Sequence, residues 1–222
     1  HYLGKEMIKN ILPFRFGNAF VEHMLNRWMV DNVQITFKEP FGTEGRGGYF
    51  DEFGIIRDIQ QNHLCQVFSL LTMDEPENFT PEAIRDAKVK LLRSVRPISK
   101  DHVLLGQYAA ANGKPGYKDD ETVPKDSNTP TFAAIVLHID NERWRDVPFI
   151  MKAGKALDEG KAEIRVQFRD IEHKLDKIER NELVLRIQPG EALYLIINAK
   201  LPGMASTTVP VELDLTYRDR FQ

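Results

Sequence analysis

The sequence predicts an α+β domain in which helices pack on one face of a large, mostly antiparallel β-sheet. Apolar residues at helical spacing dominate the N-terminal half, alternation with period two takes over from Thr131, and short polar turns join the later strands. A chain of 222 residues, 42% of them hydrophobic, can bury its own core. A domain of that size hides roughly 70% of its unfolded surface, so residues 1–222 are expected to form a single domain.

Taken in order, Met7, Ile8, Ile11 and Leu12 form an apolar stripe that Pro13 should kink. Phe14, Phe20, Val21, Met24, Leu25 and Trp28 suggest a second helical stretch. Val33, Ile35 and Phe37 then alternate with Gln34, Thr36 and Lys38, the period of a half-buried strand. Pro40 removes a ladder donor and leaves Glu39 at the strand tip. Gly42, Gly45, Gly47 and Gly48 require a loop whose backbone turns tightly or approaches something closely. That loop matches neither a Walker motif nor a dinucleotide fingerprint.

Ile55, Ile56, Ile59, Leu64, Val67 and Leu71 mark a core helix, with Asp51 and Glu52 near its positive N-terminal end. His63 lies one turn beyond Ile59. Thr80 has the chemistry of an N-cap with Pro81 in the first turn, and the Arg85, Lys88, Lys90 and Arg93 side of the helix it starts is solvated. Between Asn112 and Pro130, Gly, Pro, Asp and Lys predict an exposed loop.

Six strands should follow, at Phe132 to Ile139, Val147 to Lys152, Lys161 to Phe168, Leu183 to Gln188, Leu193 to Asn198 and Val211 to Tyr217. In the third, Ala162, Ile164, Val166 and Phe168 point one way and Lys161, Glu163, Arg165, Gln167 and Arg169 the other. One face therefore packs on helices; the other is wet or meets a second subunit.

A formal net charge of -3 gives no global attraction to nucleic acid or to an anionic membrane, so local cations must hold any anionic ligand. No apolar run approaches the ~20 residues that span a bilayer. Cys65 is the single cysteine, which excludes an internal disulfide and fits a reducing compartment.

Several groups have two readings. His63 is either a core histidine satisfied by a hydrogen bond or a general base near neutral pH. His1 and Lys5, four apart, would share one face of a helix as a phosphate clamp, or form a solvated basic N-terminus. Lys155 and Gln188 read alone as ordinary strand-end residues.

The run Thr36 to Leu64, which contains Lys38-Glu39-Pro40-Phe41-Gly42-Thr43-Glu44-Gly45, resembles the signature of the glucose-6-phosphate dehydrogenase family. His1-Tyr2-Leu3-Gly4-Lys5-Glu6 resembles that family's substrate motif. Matches at Val103–Tyr108, Arg143-Trp144, Gly154–Leu157, Arg180–Leu183 and Glu212–Tyr217 extend the similarity over the whole chain.

The resemblance implies an oxidoreductase that oxidises glucose 6-phosphate at C1 to the lactone with NADP as hydride acceptor, the first step of the oxidative pentose phosphate pathway. It implies His63 as the catalytic base, and His1, Tyr2, Lys5, Glu39, Asp58, Lys155 and Gln188 as substrate ligands. A second, structural NADP would lie on Lys152, Lys161, Arg165, Arg186, Tyr194 and Asp214. Ile196 and Gly160 depart from that pattern, standing where some members place a lysine and an arginine. No metal is implied. A cytoplasmic homodimer or homotetramer built through the sheet is expected.

The chain is further expected to be the substrate-binding and oligomerisation portion of a longer enzyme. The nucleotide-binding domain, the extreme C-terminus and an aspartate that pairs with the catalytic histidine would lie outside it. The isolated chain would then be inactive, and a noncatalytic phosphosugar-binding or subunit-assembly module is the alternative. A related lumenal hexose-6-phosphate dehydrogenase is a third reading.

Overall fold

The alternating residues Val33, Ile35 and Phe37 build a strand at the centre of the sheet. β1 (Val30–Lys38) lies between β4 (Phe149–Gly154), to which it is parallel, and β5 (Lys161–Phe168), to which it is antiparallel. A computed structural model describes residues 2–170, 178–204 and 206–216. Among these, β2 (Val103–Gly106), β3 (Phe132–Leu137), β6 (Glu182–Gln188), β7 (Ala192–Lys200) and β8 (Thr208–Thr216) complete the eight-stranded order β2-β3-β4-β1-β5-β6-β7-β8. Every other neighbouring pair is antiparallel, so the fold is the expected α+β. The edge strand β2 escapes sequence reasoning because Leu104 and Leu105 are both exposed, which leaves no alternation to read. Tyr217, the expected end of β8, lies outside the described residues.

Residues Val33, Ile35, Phe37, Ala162, Ile164 and Val166 are buried against the helices. The first helices are α1 (Glu6–Lys9), α2 (Ile11–Phe16) and α3 (Ala19–Met24). The break falls at Asn10, ahead of Pro13. The proline sits in the first turn of α2, where its missing N–H costs little. Tyr2–Gly4 is a 3₁₀ turn and Lys5 is an extended N-cap (φ −72°, ψ 135°), so no continuous helix carries Lys5 on a face shared with His1. His1 itself lies outside the described residues.

The expected core helix is three pieces: α4 (Gly47–Ile55), a π-helix (Ile56–Leu64) and α5 (Cys65–Thr72). Gly54, at φ 66° and ψ 170°, interrupts the first winding. Arg15 is fully buried beside α5, where it donates to the carbonyls of Leu70 (2.9 Å) and Met73 (2.7 Å) and pairs with Glu22 (2.8 Å). A cation there satisfies carbonyls left open at a helix C-terminus. Burial lowers the Arg15 guanidinium to about 10, so it remains charged at neutral pH. Thr80 caps α6 (Pro81–Leu92) through a hydrogen bond from the Ala83 N–H (3.3 Å), as its sequence predicts.

The segment from Asn112 to Pro130 is largely the exposed loop its composition predicts, but it is anchored at a few buried points. It is a strap laid over the glycine-rich loop, with Tyr117 and Val123 buried. The Asp120 carboxylate accepts from the Gly47 N–H (3.2 Å) and Thr122 Oγ1 from the Gly48 N–H (2.8 Å). Asp51 lies inside α4 and accepts from the Tyr117 hydroxyl (2.8 Å), so it tethers the strap instead of facing the helix N-terminus. A Cβ on Gly47 would come within 2.3 Å of Val123 Cγ2, and one on Gly42 within 2.5 Å of the Tyr108 hydroxyl. These glycines admit other parts of the protein. Gly47→Ala is expected to cost about 1–3 kcal/mol through overpacking, read by denaturant unfolding; an unchanged midpoint would show that the strap yields freely.

Candidate functional site

The candidate site forms where several strands end together. β1, β4 and β6 run in the same direction, and Glu39, Lys155 and Gln188 stand at their C-terminal ends. The Glu39 N–H donates to the Gly154 carbonyl (3.0 Å), which carries the β1–β4 register one step past the strands. The Lys155 ammonium consequently meets the Glu39 carboxylate in a direct ion pair. The rings of Phe50 and Phe41 lie 5.4 and 6.0 Å from the Lys155 Nζ.

The π-helix supplies the next two groups. Asp58 lies in its first turn and His63 in its last, five residues apart. In an α-helix residues five apart point in divergent directions; an i→i+5 ladder stacks them. Buried Gln60 holds this winding on the sheet, its Nε2 donating to the carbonyls of Ala133 (3.0 Å) and Met151 (3.3 Å) on β3 and β4. Ile59 and Leu64 pack into the core from the same segment.

Glu39, Asp58 and Lys155 line one cleft of about 520 Å³ with Thr43, Arg46 and Tyr49. His63 is half-buried beside it. Its ring lies 5.1 Å from that of Tyr2, which in turn sits edge-on to Phe37 at 5.8 Å. The Tyr2 hydroxyl is buried without a hydrogen-bond partner among the described residues, and burial followed by the nearby Glu39 pushes its pKa above the ordinary phenol range. It stays protonated and can donate to a ligand.

Burial pushes the His63 pKa below its ordinary 6.5, while Asp58 pulls it upward. The ring is therefore neutral at pH 7 and able to accept a proton. Removing Asp58's charge should lower the His63 pKa further. We expect an imidazole NMR titration of Asp58→Asn to show a midpoint below that of the wild type; an upward shift would contradict this electrostatic pairing.

Lys5 is exposed and Gln188 is half-buried in register with Ala162, and neither lines the cleft. Sequence reasoning missed Arg46 and Tyr49. Their available signal was an arginine and an aromatic embedded in a run of glycines.

The sheet's other face gathers the remaining cations. Lys152, Thr36, Glu163 and Arg186 form one cross-strand row, and Gln34, Arg165, Val184, Tyr194 and Asp214 form the next. Buried Glu163 pairs with Lys161 (3.4 Å) and Arg165 (3.0 Å). Lys152 donates to Gln34 (3.3 Å), and burial, then Lys38 and Lys161, push its pKa down. Arg186 reaches the Tyr194 hydroxyl at 3.2 Å. Lys152 and Arg186 have no carboxylate partner among the described residues.

A helix-backed sheet with a cleft at its strand ends, lined by Glu39, Asp58 and Lys155, defines an α+β domain with a candidate ligand site. The sequence model of the glucose-6-phosphate dehydrogenase C-terminal domain matches residues 12–222, and the chain belongs to that family. It is 62% identical over 224 residues to glucose-6-phosphate 1-dehydrogenase of Emericella nidulans and 56% identical over 225 residues to that of Saccharomyces cerevisiae. The whole chain aligns in both cases, yet covers only 44% and 45% of those proteins.

A solved glucose-6-phosphate dehydrogenase in complex with its substrate glucose-6-phosphate superposes with a TM-score of 0.95 at 57% identity, covering 100% of this chain and 46% of that one. The enzyme from Mycobacterium avium gives 0.88 at 33% identity, covering 98% and 48%. The chain thus spans about half the length of the relatives it matches.

Proposed function

We propose that the polypeptide carrying this chain oxidises glucose 6-phosphate to 6-phosphogluconolactone, and that this chain supplies the sugar site, the base and a surface for homo-oligomer assembly. The observation that carries this reading is the convergence of Glu39, Asp58 and Lys155 on one cleft, with His63 in the same π-helical segment as Asp58. Glu39 and Asp58 accept from sugar hydroxyls, which suits carboxylates as pure acceptors. Lys155 and the Tyr2 hydroxyl, together with His1, Lys5 and Gln188, hold the phosphate end and remaining hydroxyls. His63 takes the C1 hydroxyl proton. NADP, when bound, accepts the hydride released from C1.

The glycine-rich loop is a poor cradle for that nucleotide, because protein side chains occupy the space beside Gly42 and Gly47. The catalytic nucleotide is therefore assigned mainly to another part of the longer polypeptide. A second NADP fits the sheet's other face, where Lys152 and Arg186 are cations without carboxylate partners among the described residues and Lys161, Arg165, Tyr194 and Asp214 lie in adjacent register. A cytoplasmic location suits this chemistry; among the described residues no helix is long and apolar enough to cross a membrane.

Turnover of glucose 6-phosphate with NADP tests the reading, comparing the chain alone with a polypeptide extended upstream. Activity of the extended form alone is the expected result. Sugar phosphate binding without turnover in both would favour the noncatalytic module.

A further inference from the structure

We infer that Arg46, beside the Tyr49 ring, is the cleft's contact for the phosphate-bearing part of the hydride-accepting dinucleotide. This rests on the function proposed above. The charged groups lining the cleft are Glu39, Glu44, Asp58, Arg46 and Lys155. Lys155 pairs with Glu39 and is assigned above to the sugar phosphate. Arg46 has no carboxylate partner among the described residues, and its guanidinium carbon lies 5.8 Å from the centre of the Tyr49 ring.

Position separates Arg46 from the sugar-binding groups. Glu39 and Lys155 form the floor at the strand ends, whereas Arg46 stands at the mouth, as the N-cap of α4. The cleft is also aromatic: Tyr49 and Phe41 line it and are 61% and 47% exposed, and Phe53 outside it packs on Tyr49 with ring centres 5.1 Å apart. Burying large apolar rings is favourable, so exposed rings around a cationic fork suit a planar, anionic ligand.

Access supports the same assignment. His63 must face the C1 oxygen from inside the molecule, so the group that receives hydride enters from the open side, past this rim. An arginine there can hold a phosphate in bidentate fashion while its plane rests on a ring, which lysine cannot reproduce.

The test uses the full-length enzyme. Equilibrium dissociation constants for NADP and for glucose 6-phosphate are measured by calorimetry for the wild type, Arg46→Ala, Arg46→Lys and Tyr49→Leu. Losing a charge-assisted contact should weaken NADP binding by about tenfold or more in Arg46→Ala. Arg46→Lys should recover only part of the loss, and Tyr49→Leu should show a smaller loss. Glucose 6-phosphate affinity should remain near wild type throughout. An unchanged NADP constant in Arg46→Ala would overturn the inference, as would a loss of sugar phosphate affinity equal to the loss for NADP. Failure of the wild type to bind glucose 6-phosphate would instead remove the proposed function, a distinguishable result. Arg46 is exposed, so its replacement leaves the core intact; matching thermal unfolding of variant and wild type verifies this.

Discussion

Replacing His63 with asparagine in the full-length enzyme is expected to lower kcat by about 10²- to 10⁴-fold, the usual contribution of a positioned general base, while the dissociation constant for glucose 6-phosphate should stay near wild type. The split follows from where the ring sits. It is held by a π-helical segment whose Ile59, Gln60 and Leu64 are buried independently of the imidazole, so the scaffold should survive the change. Asparagine retains polar atoms of similar placement but cannot accept a proton near neutral pH. Steady-state kinetics with equilibrium sugar binding check the prediction. Retained turnover would remove His63 from the role of base, and lost sugar binding would make it a ligand.

Arg15→Met should produce the largest loss of stability, about 3–5 kcal/mol, the usual consequence of removing one partner of a buried charge pair. The loss comes from three places. Two carbonyls at the end of α5 lose their donor, Glu22 keeps only its contact with Arg143 at 2.9 Å, and the stacking of the guanidinium on Phe16 at 4.4 Å disappears. Methionine restores part of the volume, so the experiment isolates the polar contribution. For a chain of 222 residues, the expected fall in Tm is about 10 °C. A fall of about 2 °C or less would show that solvent reaches those carbonyls readily.

The sequence reveals those parts of the fold whose burial follows a simple period. The alternation in Val33–Phe37 and Ala162–Phe168 identifies β1 and β5, and the Thr80-Pro81 pair marks the start of α6. It hides elements fixed by distant partners. Ile55, Ile59 and Leu64 fit an ordinary helical stripe, and the π winding becomes evident only where Gln60 meets the backbone of β3 and β4. The strap looks solvated by composition because its few apolar groups, Tyr117 and Val123, are interspersed among polar residues, and only the glycines opposite them reveal the fit.

The candidate site follows the same rule. Glu39 and Lys155 look unremarkable in sequence, separated by more than a hundred residues, and the parallel β1–β4 register makes them neighbours. In the sequence, only the family resemblance singles them out. Arg46 was missed because no periodicity distinguishes a rim residue inside a loop.

Placing β1 between β4 and β5 also sets an order of events during synthesis. The strand leaves the ribosome long before either of its flanking partners exists, and both closures span over a hundred residues, a costly ring to close. Until residue 154 has emerged, Val33, Ile35 and Phe37 can shelter only against the nascent helices. An edge left unpaired for that interval is where a chaperone would have most to do.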